Sequence, residues 1–114
     1  MSTKRPHYYD ADDLAKFGSI GRVNKELGDA YFNYYNKAMA AGALSAREKL
    51  LIALAVAHAL KCPYCIDAYT QSCLEKGSDE AEMNEAVHVA AAMTAGISLV
   101  HSVQMQNKID DLSI

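Results

Sequence analysis

Apolar residues recur along this chain at helical rather than strand spacing. Val23, Leu27, Tyr31, Tyr34 and Ala38 follow one another at three or four residues, the period that lines one face of an amphipathic helix, and Gly42 closes the stretch. Leu50 to Leu60 is apolar except for His58, which predicts a central helix with neighbours packed all round. This run is shorter than the about 20 residues a bilayer-spanning helix needs. Ser45-Ala46-Arg47-Glu48 precedes it and reads as a capping box, so the helix starts there and runs to about Lys61.

The flanking segments follow the same logic. Residues 1 to 10 are polar and aromatic and are expected to form an arm, after which Asp10 or Asp12 caps a short helix through Phe17 that Gly18 and Gly21 break. Pro63 suits the first turn of a helix, because its missing N–H would be unpaired there. That helix ends at Gly77, and Ser78 begins another whose Asp79, Glu80 and Glu82 complement its N-terminal dipole. Gly96 is expected to divide the C-terminal region, leaving a last helix over Ile97 to Ile109 before a short acidic tail. Strand-like alternation is absent. The expectation is one all-α domain over residues 1–114, with no repeat or linker.

Composition narrows the function. With 51% hydrophobic against 22% charged residues, the 114-residue chain belongs with globular rather than disordered proteins. A domain this small buries roughly two-thirds of its unfolded surface and leaves apolar area for partners. The net charge of −3 comes without a basic block, which excludes nucleic acid as the expected ligand. No charged stretch followed by a long apolar one opens the sequence, so a cytoplasmic protein without a membrane association is expected.

The chemistry concentrates in Cys62-Pro63-Tyr64-Cys65. Two thiols three residues apart share one intramolecular disulfide, and a helix N-terminus favours the reactive thiolate. Pro63 puts Cys62 near the N-cap and Cys65 within the first turn. A structural zinc site would need further ligands at matching spacing. The chain offers Cys73 and scattered histidines, with His88 and His101 thirteen residues apart, so neither metal nor organic cofactor is expected. Cys73 lies two turns from Cys65 and is offset by about 80°, which suits a small buried hydrophobe.

The segment from Leu44 to Gly96, with its apolar helix, C-x-x-C, short helix, Gly-Ser and acidic-start helix, resembles the alkylhydroperoxidase D and carboxymuconolactone decarboxylase superfamily over about residues 20 to 105. The resemblance implies an all-α fold and an obligate homo-oligomer, often a trimer or hexamer, with the cysteine pair beside a subunit interface. Its redox branch carries the pattern E-x11-C-x-x-C-x3-H. Carried over, Cys65 would be the peroxidatic thiol and Cys62 the resolving one. The relay positions depart from the pattern, because Leu50 stands where the glutamate should be and Tyr69 where the histidine should be. The stretch Cys62 to Gln71 is also similar to a subgroup of peroxidase-like proteins associated with arsenosugar biosynthesis.

Other residues then become candidates for proton traffic. His58 is one turn before Cys62 on the stripe through Leu50 and Leu54, which makes it the nearest acid or base in sequence. Glu48 is rotated roughly 200° from Leu50. Tyr69, one turn after Cys65, is able to donate a hydrogen bond to sulfur or a bound oxygen. His101 has a weaker claim, and His88 is expected at the surface. The leading expectation is a thiol-dependent peroxidase or disulfide oxidoreductase that cycles Cys62 and Cys65, with Cys65, Cys62, His58 and Tyr69 as its site. Its partners would be a peroxide or disulfide and an external thiol reductant. The alternatives are a decarboxylase-like lyase of the same superfamily and a non-catalytic redox-sensing helical subunit.

Overall fold

The structure, a computed structural model, describes residues 10–113. The expected N-terminal arm falls outside these residues apart from Asp10. Every regular element among them is helical: an N-terminal 3₁₀ helix, Ala11–Ser19, then α1 (Lys25–Met39), α2 (Ala46–Ala59), α3 (Pro63–Glu75) and α4 (Glu80–Leu112).

Asp10 caps the 3₁₀ helix, its carboxylate accepting the Asp12 N–H at 3.0 Å. The helix runs past Gly18 to Ser19. Hydrogen-bond geometry in a 3₁₀ helix is poorer than in an α-helix, and aromatic packing holds this one in place. The Phe17 ring meets Phe32 and Tyr35 of α1 edge-on, with centroids 5.3 and 5.8 Å apart. The following turn lies so close to α1 that a Cβ built on Gly21 would stand 2.6 Å from the Gly28 Cα. Only glycine fits at that crossing.

α1 starts at Asn24, whose side chain accepts the Leu27 N–H at 3.1 Å. Its far end is closed from another element, because the Lys49 ammonium donates to the Ala38 and Ala40 carbonyls at 2.9 and 2.5 Å. α2 has the expected capping box, with Glu48 N–H to Ser45 Oγ at 3.0 Å and Ser45 N–H to Glu48 Oε1 at 2.8 Å. It stops at Ala59, short of Lys61. Lys61 takes a left-handed conformation with φ 57°, and its N–H reaches the His58 carbonyl while the Cys62 N–H reaches that of Ala57. This is the Schellman closure, here with lysine where glycine is usual.

The same closure ends α3 at Gly77, φ 90°. Asp79, not Ser78, caps α4 in a second capping box with Glu82. Ser78 instead turns inward, its hydroxyl buried without a partner. The expected break at Gly96 does not occur, and α4 continues unbroken to Leu112 through Asp110 and Asp111. A helical glycine costs only about 1 kcal/mol against alanine, too little to interrupt a long helix that is otherwise well formed.

α2 is the central element, packed against α3 and α4 and more lightly against α1. The innermost residues come from three helices: Leu54 and Ala57 of α2, Cys73 of α3 and Ala90 of α4. An ion pair of Arg47 with Glu82 ties the first turn of α2 to that of α4. The packing around α2 is incomplete, since Ile52, Val56 and Leu60 remain about half exposed or more. α4 goes further, for it is long and apolar enough to cross a membrane by length and composition, with 6% of its most apolar stretch buried.

Candidate functional site

Cys62 belongs to two helices at once. Its N–H completes the closure of α2, its backbone is extended (φ −96°, ψ 103°), and its sulfur caps α3 by accepting the Cys65 N–H at 3.3 Å. Pro63 occupies the first turn, as its spacing predicts. Both thiols are free and half-buried. Burial pushes the Cys65 thiol up to about 11, and its hydrogen bond and repulsion with Cys62 add to the rise.

Two cavities meet at the pair. The smaller, about 330 Å³, lies between α1, α2 and α3, where Met39, Ile52, Val56 and Leu60 form an apolar wall and both Cys62 and Cys65 open into it. The larger, about 580 Å³, lies between the 3₁₀ helix, α1 and α3, and mixes Phe17 and Ile20 with Tyr35, Tyr64 and the Asp13–Lys16 ion pair. Cys65 and Tyr69 line both. Cys62 lines only the smaller.

Of the residues singled out in the sequence, Cys62, Cys65 and Tyr69 come together. Tyr69 is half-buried and its hydroxyl is hydrogen-bonded to that of Tyr35. Burial raises its pKa, Tyr35 raises it further, and the hydroxyl stays protonated at neutral pH. It is a donor or acceptor of a hydrogen bond rather than a base. His58 is not brought to either cavity; its Nδ1 donates to the Leu54 carbonyl of its own helix at 2.8 Å. Leu50 lines neither cavity. His88 is exposed, and His101 is exposed on α4 with Nδ1 on the Ile97 carbonyl. Cys73 is fully buried, and burial raises its thiol. Tyr35 was missed as a site residue. It stands 27 residues before Cys62 on another helix, and no spacing rule connects the two.

Among the described residues, no group of three or more His, Cys, Asp or Glu is arranged to hold a metal ion. Among the described residues no histidine lines either cavity, and the two ammonium groups that do are engaged: Lys49 by backbone carbonyls, Lys16 by Asp13. The chemistry available at the junction is that of two thiols, a protonated tyrosine and an apolar approach.

Residues 25–107 match the model of the carboxymuconolactone decarboxylase family. A protein of Paracoccus denitrificans described as uncharacterized protein 4 in the cox locus is 34% identical over 98 residues, covering 86% of this chain and 88% of its own. A crystal structure of a protein from Methanobacterium thermoautotrophicum superposes with a TM-score of 0.71 at 31% identity, over 74% of this chain and 94% of that one.

Proposed function

The chain belongs to the carboxymuconolactone decarboxylase family, and on that premise we propose that it is a thiol-dependent oxidoreductase in which Cys62 and Cys65 cycle between dithiol and disulfide. One observation carries the reading: the two sulfurs sit at the cap and in the first turn of α3, the Cys62 sulfur accepting the Cys65 N–H, and both open to a cavity. A helix N-terminus stabilises a thiolate, and the i, i+3 spacing lets the pair close without unfolding the helix. The substrate is a peroxide or a disulfide. Oxidation of the pair removes two electrons and two protons from the thiols, and an external thiol reductant returns them.

The lyase alternative receives less support. Decarboxylation without a cofactor needs acid and base groups at the substrate, and among the described residues neither cavity presents a histidine or an unpaired carboxylate. Tyr69 supports the redox reading instead, since a protonated hydroxyl beside Cys65 suits the donation of a hydrogen bond to a leaving oxygen or sulfur.

The working form is a homo-oligomer. The chain exposes 9047 Å², roughly 3,000 Å² more than a compact monomer of its mass. Val89, Met93, Ile97, Val100 and Val103 follow each other at four- and three-residue steps along one exposed face of α4, which suits a second copy of the chain.

Mass spectrometry of the protein after one equivalent of hydrogen peroxide tests the function. A Cys62–Cys65 disulfide that dithiothreitol reverses is the expected product. If both thiols remain alkylatable, the redox reading is lost.

A further inference from the structure

The two sulfurs are placed unequally, Cys62 as the cap of α3 and Cys65 in its first turn, and the inequality runs opposite to the order that the family resemblance implies. We propose that Cys62 is the attacking thiolate and Cys65 the resolving thiol, with the substrate reaching Cys62 through the smaller, apolar cavity. The inference rests on the dithiol reading above and goes beyond it by assigning each sulfur its step and its approach.

Three features of the geometry converge. The Cys62 sulfur is the N-cap acceptor of α3, receiving the Cys65 N–H at 3.3 Å where the helix presents its unpaired amides and positive dipole end. The Cys65 thiol lies in the first turn, half-buried, and burial pushes it up. Thirdly, among the described residues that line the cavities, no histidine or unpaired carboxylate stands ready to take up the Cys65 proton. Tyr69 is itself held protonated, bonded to Tyr35. Across the larger cavity, Asp13 is paired with Lys16, and Tyr35 and Tyr64 are phenols. Lys49 in the smaller cavity is turned to the end of α1. His58 opens into neither cavity. The glutamate and histidine that would activate the second cysteine are replaced here by Leu50 and Tyr69, and the helix cap activates the first one instead.

With a peroxide the steps balance as follows. The Cys62 thiolate attacks one peroxide oxygen; an S–O bond forms, the O–O bond breaks, and the departing alkoxide or hydroxide takes a proton from solvent, equivalent to the one Cys62 released on ionising. The Cys65 sulfur then attacks the Cys62 sulfenic sulfur. The S–S bond forms, the S–O bond breaks, and the Cys65 proton leaves with the hydroxide as water. Two thiols become a disulfide, and the peroxide becomes alcohol and water. With a disulfide substrate the same attack gives a mixed disulfide on Cys62, and Cys65 releases the second thiol. A thiol or dithiol reductant restores the pair.

The order is read directly by limited alkylation. Reduced protein is treated briefly with limiting iodoacetamide between pH 6 and 10, and labelling at each cysteine is mapped by mass spectrometry. The expected result at pH 7 is Cys62 labelled at least tenfold faster than Cys65, with Cys65 labelling rising only above the ordinary thiol value of about 8.5. After one equivalent of hydrogen peroxide, dimedone should trap a sulfenic acid on Cys62 in Cys65→Ser at least tenfold faster than on Cys65 in Cys62→Ser. Equal labelling, or preferential labelling of Cys65, overturns the assignment. Alkylation does not depend on peroxide, so a wild type that labels at Cys62 yet never forms the disulfide fails the functional reading alone. A wild type that forms the disulfide with Cys65 labelled first fails this inference alone.

Discussion

At Cys62 a single residue closes one helix and opens the next, so its replacement is felt in both stability and chemistry. Serine retains an oxygen able to accept the Cys65 N–H, and alanine does not. In reduced protein, Cys62→Ala should therefore be less stable than Cys62→Ser by about 1 kcal/mol, read as a difference between their denaturation midpoints. Equal midpoints would mean that the cap contributes nothing. The neighbouring Lys61 is left-handed at φ 57°, a conformation that costs a non-glycine residue of order 1 kcal/mol or more. Lys61→Gly should then stabilise the fold, as long as the relief exceeds the entropy glycine gains in the unfolded chain; a lower midpoint would show that the turn bears no strain. Conformational strain just before Cys62 fits a turn that sets where the sulfur goes.

At the scale of elements, two capping boxes and one ion pair hold the helix starts, and all three use glutamates. The Glu48 carboxyl is held below the usual range chiefly by the Ser45 N–H, and the Glu82 carboxyl by the Arg47 guanidinium first and the Asp79 N–H second. A carboxyl whose folded pKa is depressed stabilises the fold at pH above its unfolded value and loses that contribution as pH falls through the folded value. Thermal midpoints should therefore fall between about pH 5 and pH 3. Glu48→Gln keeps the capping hydrogen bond and should flatten part of that decline. An unchanged profile would place the acid sensitivity elsewhere. Gly96 gives a complementary test on α4: nothing lies within 4 Å of a Cβ built there, so Gly96→Ala should add about 0.5 to 1 kcal/mol. A loss instead would mean that a neighbouring subunit already occupies the space.

The whole molecule is open for its length. Its radius of gyration is 19.2 Å, against about 13 Å for a compact domain of about 100 residues. Four residues form the buried hydrophobic core of the described chain. A second copy laid along α4 would cover the row from Val89 to Val103, and the exposed excess is of the size that obligate interfaces bury. Light scattering at micromolar concentration should give a multiple of 12.4 kDa, and Ile97→Glu with Val100→Glu should shift the protein toward smaller species by burying uncompensated charge. A monomeric wild type, or one that sediments with lipid vesicles, would mean that something other than this chain covers α4.

Local grammar was sufficient for much of this protein. The helical class, the Ser45–Glu48 box, Pro63 in the first turn, Cys62 at the cap, Gly77 at a helix end and a buried Cys73 all follow from side chains acting within a few residues of their own backbone, and spacing records such effects. Gly96 was misread because a helix breaker is a small local energy, overruled by the helix on either side of it. The start of α4 moved from Ser78 to Asp79 because the Schellman turn at Gly77 carries Ser78 inward. What only the tertiary structure decided lies between elements: the Tyr35–Tyr69 hydrogen bond, the fit of Gly21 against Gly28, and the two cavities that meet at Cys65 but not at Cys62. His58 shows the limit most clearly. One turn before Cys62 in sequence, it belongs to α2, and the left-handed turn at Lys61 sends the chain in a new direction before the thiols begin, so nearness along the chain did not become nearness in the cavity.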